Sequence, residues 1–304
     1  MSRAVVFDAY GDADVLHIVE VEVPEPGPHR VRVRVKAAGV QPFECLFRSG
    51  VARQWVPASF PQRLGNEFAG VIDAVGDDVT ALSIGDEVLG WAMLASYSEH
   101  VVVGVDELVA KPPGMPWTEA GVLSASGQTA ATALTQLRVA EADTVLIHAA
   151  AGGVGSFAVQ IARSRGATVI GTASEPNHDY LRSLGAIPVA YGDGLTERVR
   201  DAAPDGVDAA LDAAGTEEAL RVSLELVDEK DRIGAVAFNP FAGELGTRRF
   251  STKRSAAQLR ELTDLYTAGK LQIVIQHTYP LDAAAEAHRA VETGHVRGKI
   301  VLMT

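Results

Sequence analysis

The sequence predicts an α/β protein of two domains: a β-rich domain of barrel or sandwich character, and a domain built on a doubly wound parallel sheet. Three observations predict it. Residues 1–120 alternate short apolar runs with glycine and proline turns. From residue 121 the pattern changes to short apolar strands alternating with helical stretches, which requires crossover connections and a parallel sheet. The final Lys299-Ile300-Val301-Leu302 then returns to the strand character of the first part.

The elements follow in order. Val31-Arg32-Val33-Arg34-Val35 alternates apolar and charged side chains, the period of a half-buried strand. The Pro24-Glu25-Pro26-Gly27-Pro28 cluster and Gly65, Gly70, Gly76, Gly85 and Gly90 mark turns around further strand candidates at Val71-Ile72 and Val101-Val102-Val103. Short strands with frequent turns suit a barrel or a sandwich. Val145-Leu146-Ile147 opens the second part as a strand and runs into a glycine turn. Phe157–Ala162 then has helical spacing, and Ala167–Gly171 is the next strand. A helix over 177–184 and strands at Pro188–Tyr191, Val207–Leu211 and Ile233–Ala237 continue the alternation. Helices near Ala256–Ala268 and Ala283–Thr293 precede the closing strand. Its return predicts a discontinuous first domain, 1–120 plus 270–304, around a second over 121–269.

Composition excludes several classes. With 304 residues, 47% apolar and 6% aromatic, the chain supports a sizeable core in each domain and is not disordered. A formal net charge of −12 argues against nucleic acid or an anionic membrane as partner, since both need a basic face. The single cysteine, Cys45, permits neither an internal disulfide nor a thiolate zinc cluster. The apolar run after Met1-Ser2-Arg3 breaks at Asp8, too soon for a signal-peptide core, and no stretch reaches the about 18 apolar residues of a membrane span. A cytoplasmic location is expected.

Ala150-Ala151-Gly152-Gly153-Val154-Gly155 matches the dinucleotide pattern G-x-G-x-x-G with alanine in the first slot. The middle glycine lets a pyrophosphate approach the backbone, and the last lets helix and strand pack closely. The helix N-terminus offers unpaired N–H groups and a partial positive charge. A lone motif is also compatible with a tight turn that binds nothing. Here a strand precedes it, and a helix and a second strand follow, which favours the ligand. Sites for NADH place Asp or Glu at the end of that second strand, against the ribose hydroxyls. The strand here ends in Ala173-Ser174, so nothing repels a 2′-phosphate and NADPH is the predicted cofactor. Ser174 could donate to that phosphate or cap the next helix. His178 and Tyr191 are further candidate partners, and Glu175 is a counter-signal.

Several segments in order carry a family resemblance over nearly the whole chain. They are Ala37-Ala38-Gly39-Val40-Gln41-Pro42, Leu64 to Gly70, Gly85-Asp86-Glu87-Val88, Tyr97-Ser98-Glu99-His100, His148 to Gly155, Gly206-Val207-Asp208 with Asp212, and Gly298 to Leu302. The chain resembles the medium-chain dehydrogenase/reductases, and within them the zinc-independent quinone-oxidoreductase branch. The resemblance implies a GroES-like β-barrel domain plus a Rossmann domain. It also implies a homodimer through the edge of the Rossmann sheet, for which Ile233–Ala237 with Phe238–Phe241 is the candidate. At the positions where zinc-dependent members hold catalytic metal this chain has Gln41, Asn66 and Ala125, and the proton-relay positions fall at Phe43 and Leu46. No metal is therefore expected. His17, His29, His277, His288 and His295 are read as surface or structural residues. The chain also departs from the branch: Gln41-Pro42-Phe43-Glu44 stands for Asn-Pro-x-Asp, and a tyrosine usual just after Ser49-Gly50 is missing.

Without a metal or an evident acid, the simplest chemistry is hydride transfer to an apolar, already polarised acceptor, a quinone or an α,β-unsaturated carbonyl or enoyl compound. Gln41 is the candidate hydrogen-bond donor to the acceptor oxygen. Thr129, Phe238 and Asn239 are candidate nicotinamide neighbours. Phe43, Trp55 and Tyr97 are candidate pocket walls, with ordinary barrel core as the alternative for Phe43 and Tyr97. Glu44 reads as a structural acceptor and Cys45 as a packed small residue. Two other functions stay open: a carbonyl-reducing tailoring enzyme, and an NADPH-binding protein without turnover, crystallin-like or regulatory.

Overall fold

The computed structural model describes all residues, Met1–Thr304. The chain divides into two compact units. Unit one holds Met1–Ala125, Ser255–Asp264 and Ile273–Thr304; unit two holds Ser126–Arg254 and Leu265–Gln272. The helix read near Ala256–Ala268 is thus divided, most of it packing with unit one.

In unit one the strands are β1 (Ser2–Phe7), β2 (His17–Val21), β3 (Arg30–Val40), β4 (Gln62–Arg63), β5 (Glu67–Val75), β6 (Glu87–Trp91), β7 (His100–Gly104) and β8 (Leu108–Ala110). Helix α1 spans Pro42–Arg48, α2 spans Trp117–Ala120, and α3 starts at Ser124 and runs to Gln136. β3 is the spine of the larger sheet. It buries Val31, Val33 and Val35, turns its arginines outward, and pairs antiparallel with both β5 and β7. The period-two pattern thus sets which face meets the core, where Phe7, Phe47, Leu64 and Phe68 are fully buried.

Unit two carries β9 (Thr144–His148), β10 (Thr168–Ala173), β11 (Ile187–Ala190), β12 (Ala209–Asp212), β13 (Ile233–Ala235) and β14 (Arg248–Arg249). Its helices include α4 (Gly153–Ser164), α5 (His178–Ser183), α6 (Leu195–Ala202) and α7 (Glu217–Leu226). The sheet order β11-β10-β9-β12-β13-β14 is parallel at every pairing. The chain runs outward from β9 through β10 and β11, then returns to β12 on the other side of β9. The carboxyl end of β9 therefore lies at the switch point, where open α/β sheets bind ligands.

One expectation is corrected here. Ile233–Ala237 is not the sheet edge, because β14 pairs in parallel beyond it, Gly234 with Arg248 and Ala235 with Arg249. Two exposed arginines carry no strand signal, so tertiary pairing alone makes them one.

After β14 come α8 (Ala256–Thr267), β15 (Ile275–Pro280), α9 (Ala284–Glu292) and β16 (Lys299–Met303). β16 pairs antiparallel with β3, Ile300 opposite Val40, and so brings Lys299 to the end of β3. No helix is long and apolar enough to cross a membrane.

Candidate functional site

In unit two the glycine turn joins β9 to α4. Ala149 has a positive φ of 52°, the Ala150 N–H donates to the Thr172 carbonyl at 3.0 Å, and Gly152 caps α4 without any side-chain hydrogen bond. The first intrahelical bond is the Ser156 N–H to the Gly152 carbonyl, so the N–H groups of Gly153, Val154 and Gly155 have no intrahelical acceptor. They face the ligand side of the switch point with the positive end of a helix of 12 residues. Gly155 is required by packing: a Cβ there would lie 2.2 Å from the Ala149 carbonyl oxygen and 2.7 Å from Ala150 Cα. The turn therefore fits the pyrophosphate of a dinucleotide. Gly155→Val is expected to displace the turn and weaken dinucleotide binding at least about tenfold, or about 1.4 kcal/mol, by calorimetric titration. Unchanged affinity would overturn this reading of the turn.

At the end of β10, Ala173 is buried and Ser174 half-buried; the Ser174 hydroxyl accepts from Asn177 Nδ2 at 3.1 Å. Ser174 therefore stands at the N-cap position of the short turn without a side-chain cap bond, and its hydroxyl proton stays available. His178 folds back on the strand end, Nε2 3.4 Å from the Ala173 carbonyl oxygen, and Tyr191 is exposed just past β11. These three lie at the carboxyl ends of adjacent strands, whereas Glu175 is exposed. Thr129 Oγ1 lies 2.7 Å from Thr252 Oγ1. Asn239 is a loop pin: Nδ2 donates to Asp212 Oδ2 and to the Thr216 carbonyl, both at 3.0 Å, and Oδ1 accepts from the Phe241 N–H. Phe238 beside it is half-buried with the Arg249 guanidinium 6.0 Å from its ring centre.

In unit one the positions that match the family's zinc ligands do come together, as a hydrogen-bonded charge network. Glu67, fully buried at the start of β5, accepts from Gln41 Nε2 at 2.5 Å and from the Ala125 N–H at 2.6 Å, and pairs with Lys299 Nζ at 3.2 Å. Its carboxylate occupies the space that a side chain on Gly39 would fill, 2.1 Å from the Cβ position. Glu44, at the third position of α1, accepts from the Gln41 N–H at 3.0 Å and from Asn66 Nδ2 at 2.7 Å, while Asn66 Oδ1 accepts from the Leu94 N–H. Burial pushes the Glu44 carboxyl up to about 7 and Glu67 adds to this; backbone hydrogen bonding, Lys299 and Asn66 act the other way.

Zinc does not fit this donor set. The Asn66 amide is engaged at both ends, Gln41 donates to Glu67, and Ala125 offers only its N–H. Cys45 is buried with its thiol pushed up by burial, and no three His, Cys, Asp or Glu residues are grouped to hold a metal.

The pocket walls separate. Trp55 is 52% exposed, and Phe43 is half-buried with its ring stacked 6.1 Å from Phe47. Tyr97 is corrected to the barrel-core alternative: it is fully buried in the core of unit one, its ring edge-on to His288. Sequence reasoning missed Glu67 and Lys299 as a pair. Both stand in the quoted resemblance segments, and an acid and a lysine at the ends of largely apolar strands were the available signal.

Comparison with known proteins places these sites in a family. Residues 27–148 match the model of the alcohol dehydrogenase GroES-like domain, and residues 184–302 that described as zinc-binding dehydrogenase. The quinone oxidoreductase of Pseudomonas aeruginosa is 31% identical, with 100% of each chain covered. The chloroplastic NADPH-dependent alkenal/one oxidoreductase of Arabidopsis thaliana is 30% identical over 99% of this chain and 79% of its own. The solved quinone oxidoreductase of Coxiella burnetii superposes with a TM-score of 0.85 at 32% identity, covering 100% of this chain and 99% of that one. The chain is an oxidoreductase, a member of the medium-chain dehydrogenase/reductase superfamily in its quinone-oxidoreductase-like branch.

Proposed function

We propose that the protein is a zinc-independent, NADPH-dependent reductase of quinones or of α,β-unsaturated carbonyl and enoyl compounds. The observation that carries this is the acid-free end of β10, Ala173-Ser174, one strand away from the glycine turn. A phosphate on the adenosine ribose meets a hydroxyl there, and the strand itself ends without a carboxylate, the exposed Glu175 lying one residue beyond it. The bound cofactor supplies the hydride. The conjugated acceptor spreads the charge that develops, so the protein has to orient it and offer a hydrogen bond to its oxygen. Gln41 is suited to this because its amide gives one N–H to Glu67 and keeps a second. The names of the Pseudomonas and Arabidopsis relatives support both acceptor classes.

The test mixes purified protein with NADPH and a panel of enones and quinones. Loss of reduced-cofactor absorbance with at least one acceptor is expected. No loss with any, despite tight NADPH binding, overturns the reading and favours a binding protein without turnover. Cofactor choice has its own test: Ser174→Asp is expected to weaken NADPH binding by at least about tenfold while leaving NADH nearly unchanged, because like charges would meet at the 2′-phosphate. Equal loss for both cofactors would remove Ser174 from the phosphate site.

A further inference from the structure

Besides Ser96 Oγ, unit one buries five side-chain polar atoms that have no hydrogen-bond partner and that lie on three neighbouring residues. They are the Tyr97 hydroxyl, both ring nitrogens of His288, and Nε and Nη1 of Arg48. All three residues are at most 1% exposed. An orphaned buried donor or acceptor costs about 1–3 kcal/mol, so five in one place mark a feature and not an accident of packing.

Their connections run from the Glu44 network outward. The Tyr97 hydroxyl is raised well above its ordinary range by burial first and then by its electrostatic neighbours Glu44, Cys45 and Glu67, which puts it close to the network. The Tyr97 ring stands 5.9 Å from that of His288. Cys45 Sγ contacts the His288 carbonyl oxygen at 3.8 Å, and Arg48 lies three residues on along the same face of α1. Arg48 Nη2 pairs with Glu292, which follows His288 by one turn on α9. Glu292 is 38% exposed, so the run ends at solvent.

The inner end needs a proton. Glu44 and Glu67 place two carboxylates against one ammonium, Lys299, all buried. An uncompensated buried charge is costly, so this set retains one proton. Glu67 faces Lys299 and two N–H donors, and Glu44 faces two neutral donors only, so Glu44 is the holder. Along the run, burial and then Arg48 push His288 down to about 3, so its neutral ring presents one donor and one acceptor. Tyrosine hydroxyl, neutral imidazole and guanidinium edge are the partners that internal waters require.

We propose that Tyr97, His288 and Arg48 line a buried, water-filled proton path from Glu292 to Glu44, which reloads Glu44 with the proton consumed in each reduction. This rests on the reductase reading above. Each turnover transfers one hydride from the reduced cofactor to the conjugated acceptor, leaving oxidised cofactor, and the oxyanion so formed on the acceptor takes one proton. Glu44 gives up that proton, is left as a carboxylate, and recovers one from solvent through the path. Tyr97, His288 and Arg48 are positioning residues, since they act through Glu44.

The test uses the full chain without cofactor. Infrared difference spectra between about pH 5.5 and about pH 8.5 are expected to show a protonated carboxyl band that Glu44→Gln lacks. On mixing into heavy water the band shifts as Glu44 exchanges, and Tyr97→Phe and His288→Leu are each expected to slow that shift roughly tenfold or more. Tyr97→Phe removes only a hydroxyl and preserves the packing. Absence of the band in the wild-type protein, or exchange as fast in both variants as in the wild type, overturns the proposal. Turnover is measured separately: its absence with every acceptor sinks the reductase reading, and the exchange rates alone decide the path.

Discussion

Glu67→Gln is expected to destabilise the protein by about 3–5 kcal/mol, the cost of removing one partner from a buried ion pair. Glu67 is wholly buried and Lys299 is 3% exposed, so little water can replace the lost carboxylate. The substitution leaves the Lys299 ammonium without its ion-pair partner, balanced only as far as Glu44 gives up its proton, and reorganises the hydrogen bonds from Gln41 and the Ala125 N–H. Lys299→Met is expected to cost a similar amount for the mirror reason. The double variant Glu67→Gln/Lys299→Met is expected to recover more than half of the summed loss, because no buried charge is then uncompensated. Urea unfolding of the four proteins gives the cycle directly. Additive losses would show that the two residues act separately and would remove the charge pair from the account of this site.

The same network shows where sequence reasoning succeeds and where it stops. The glycine turn was legible because its function demands fixed residue types at fixed spacing, and because β9, α4 and β10 each carry a local pattern. The alternation in β3 was legible because one face is buried and the other is not. Tyr97 was not, since one aromatic between turns gives no period, and burial is decided by α9, which arrives almost at the end of the chain. The pairing of Glu67 with Lys299 was not legible either. It depends on the register of β16 against β3, which no local window contains. Gln41, Asn66 and Ala125 could be compared with metal-ligand positions one by one. That their neighbours form a charged, hydrogen-bonded replacement is visible only once the strands are paired. β14 escaped notice because Arg248-Arg249 is too short and too polar to announce a strand.

Glu44→Gln is expected to act in the opposite sense to Glu67→Gln, and to do so in a pH-dependent way. The ordinary value for the Glu44 carboxyl is 4.5, and in the folded protein burial raises it to about 7. Between those values the folded state holds a proton that the unfolded state has released. Stability from this group is therefore fully present below about pH 4.5, is lost as pH rises through about 7, and differs by about 3 kcal/mol across the window. Glutamine resembles the protonated acid and does not titrate. The variant is thus expected to gain about 2 kcal/mol on the wild-type protein between about pH 5.5 and about pH 8.5. His288 contributes with the other sign, because burial lowers it from 6.5 to about 3 and the unfolded state takes up protons first as pH falls. That contribution is common to both proteins and cancels in the difference. Chemical denaturation of each at the two pH values reads the effect. A stability difference that stays constant would mean that Glu44 is ionised throughout, and that the excess negative charge beside Lys299 is neutralised by some other group.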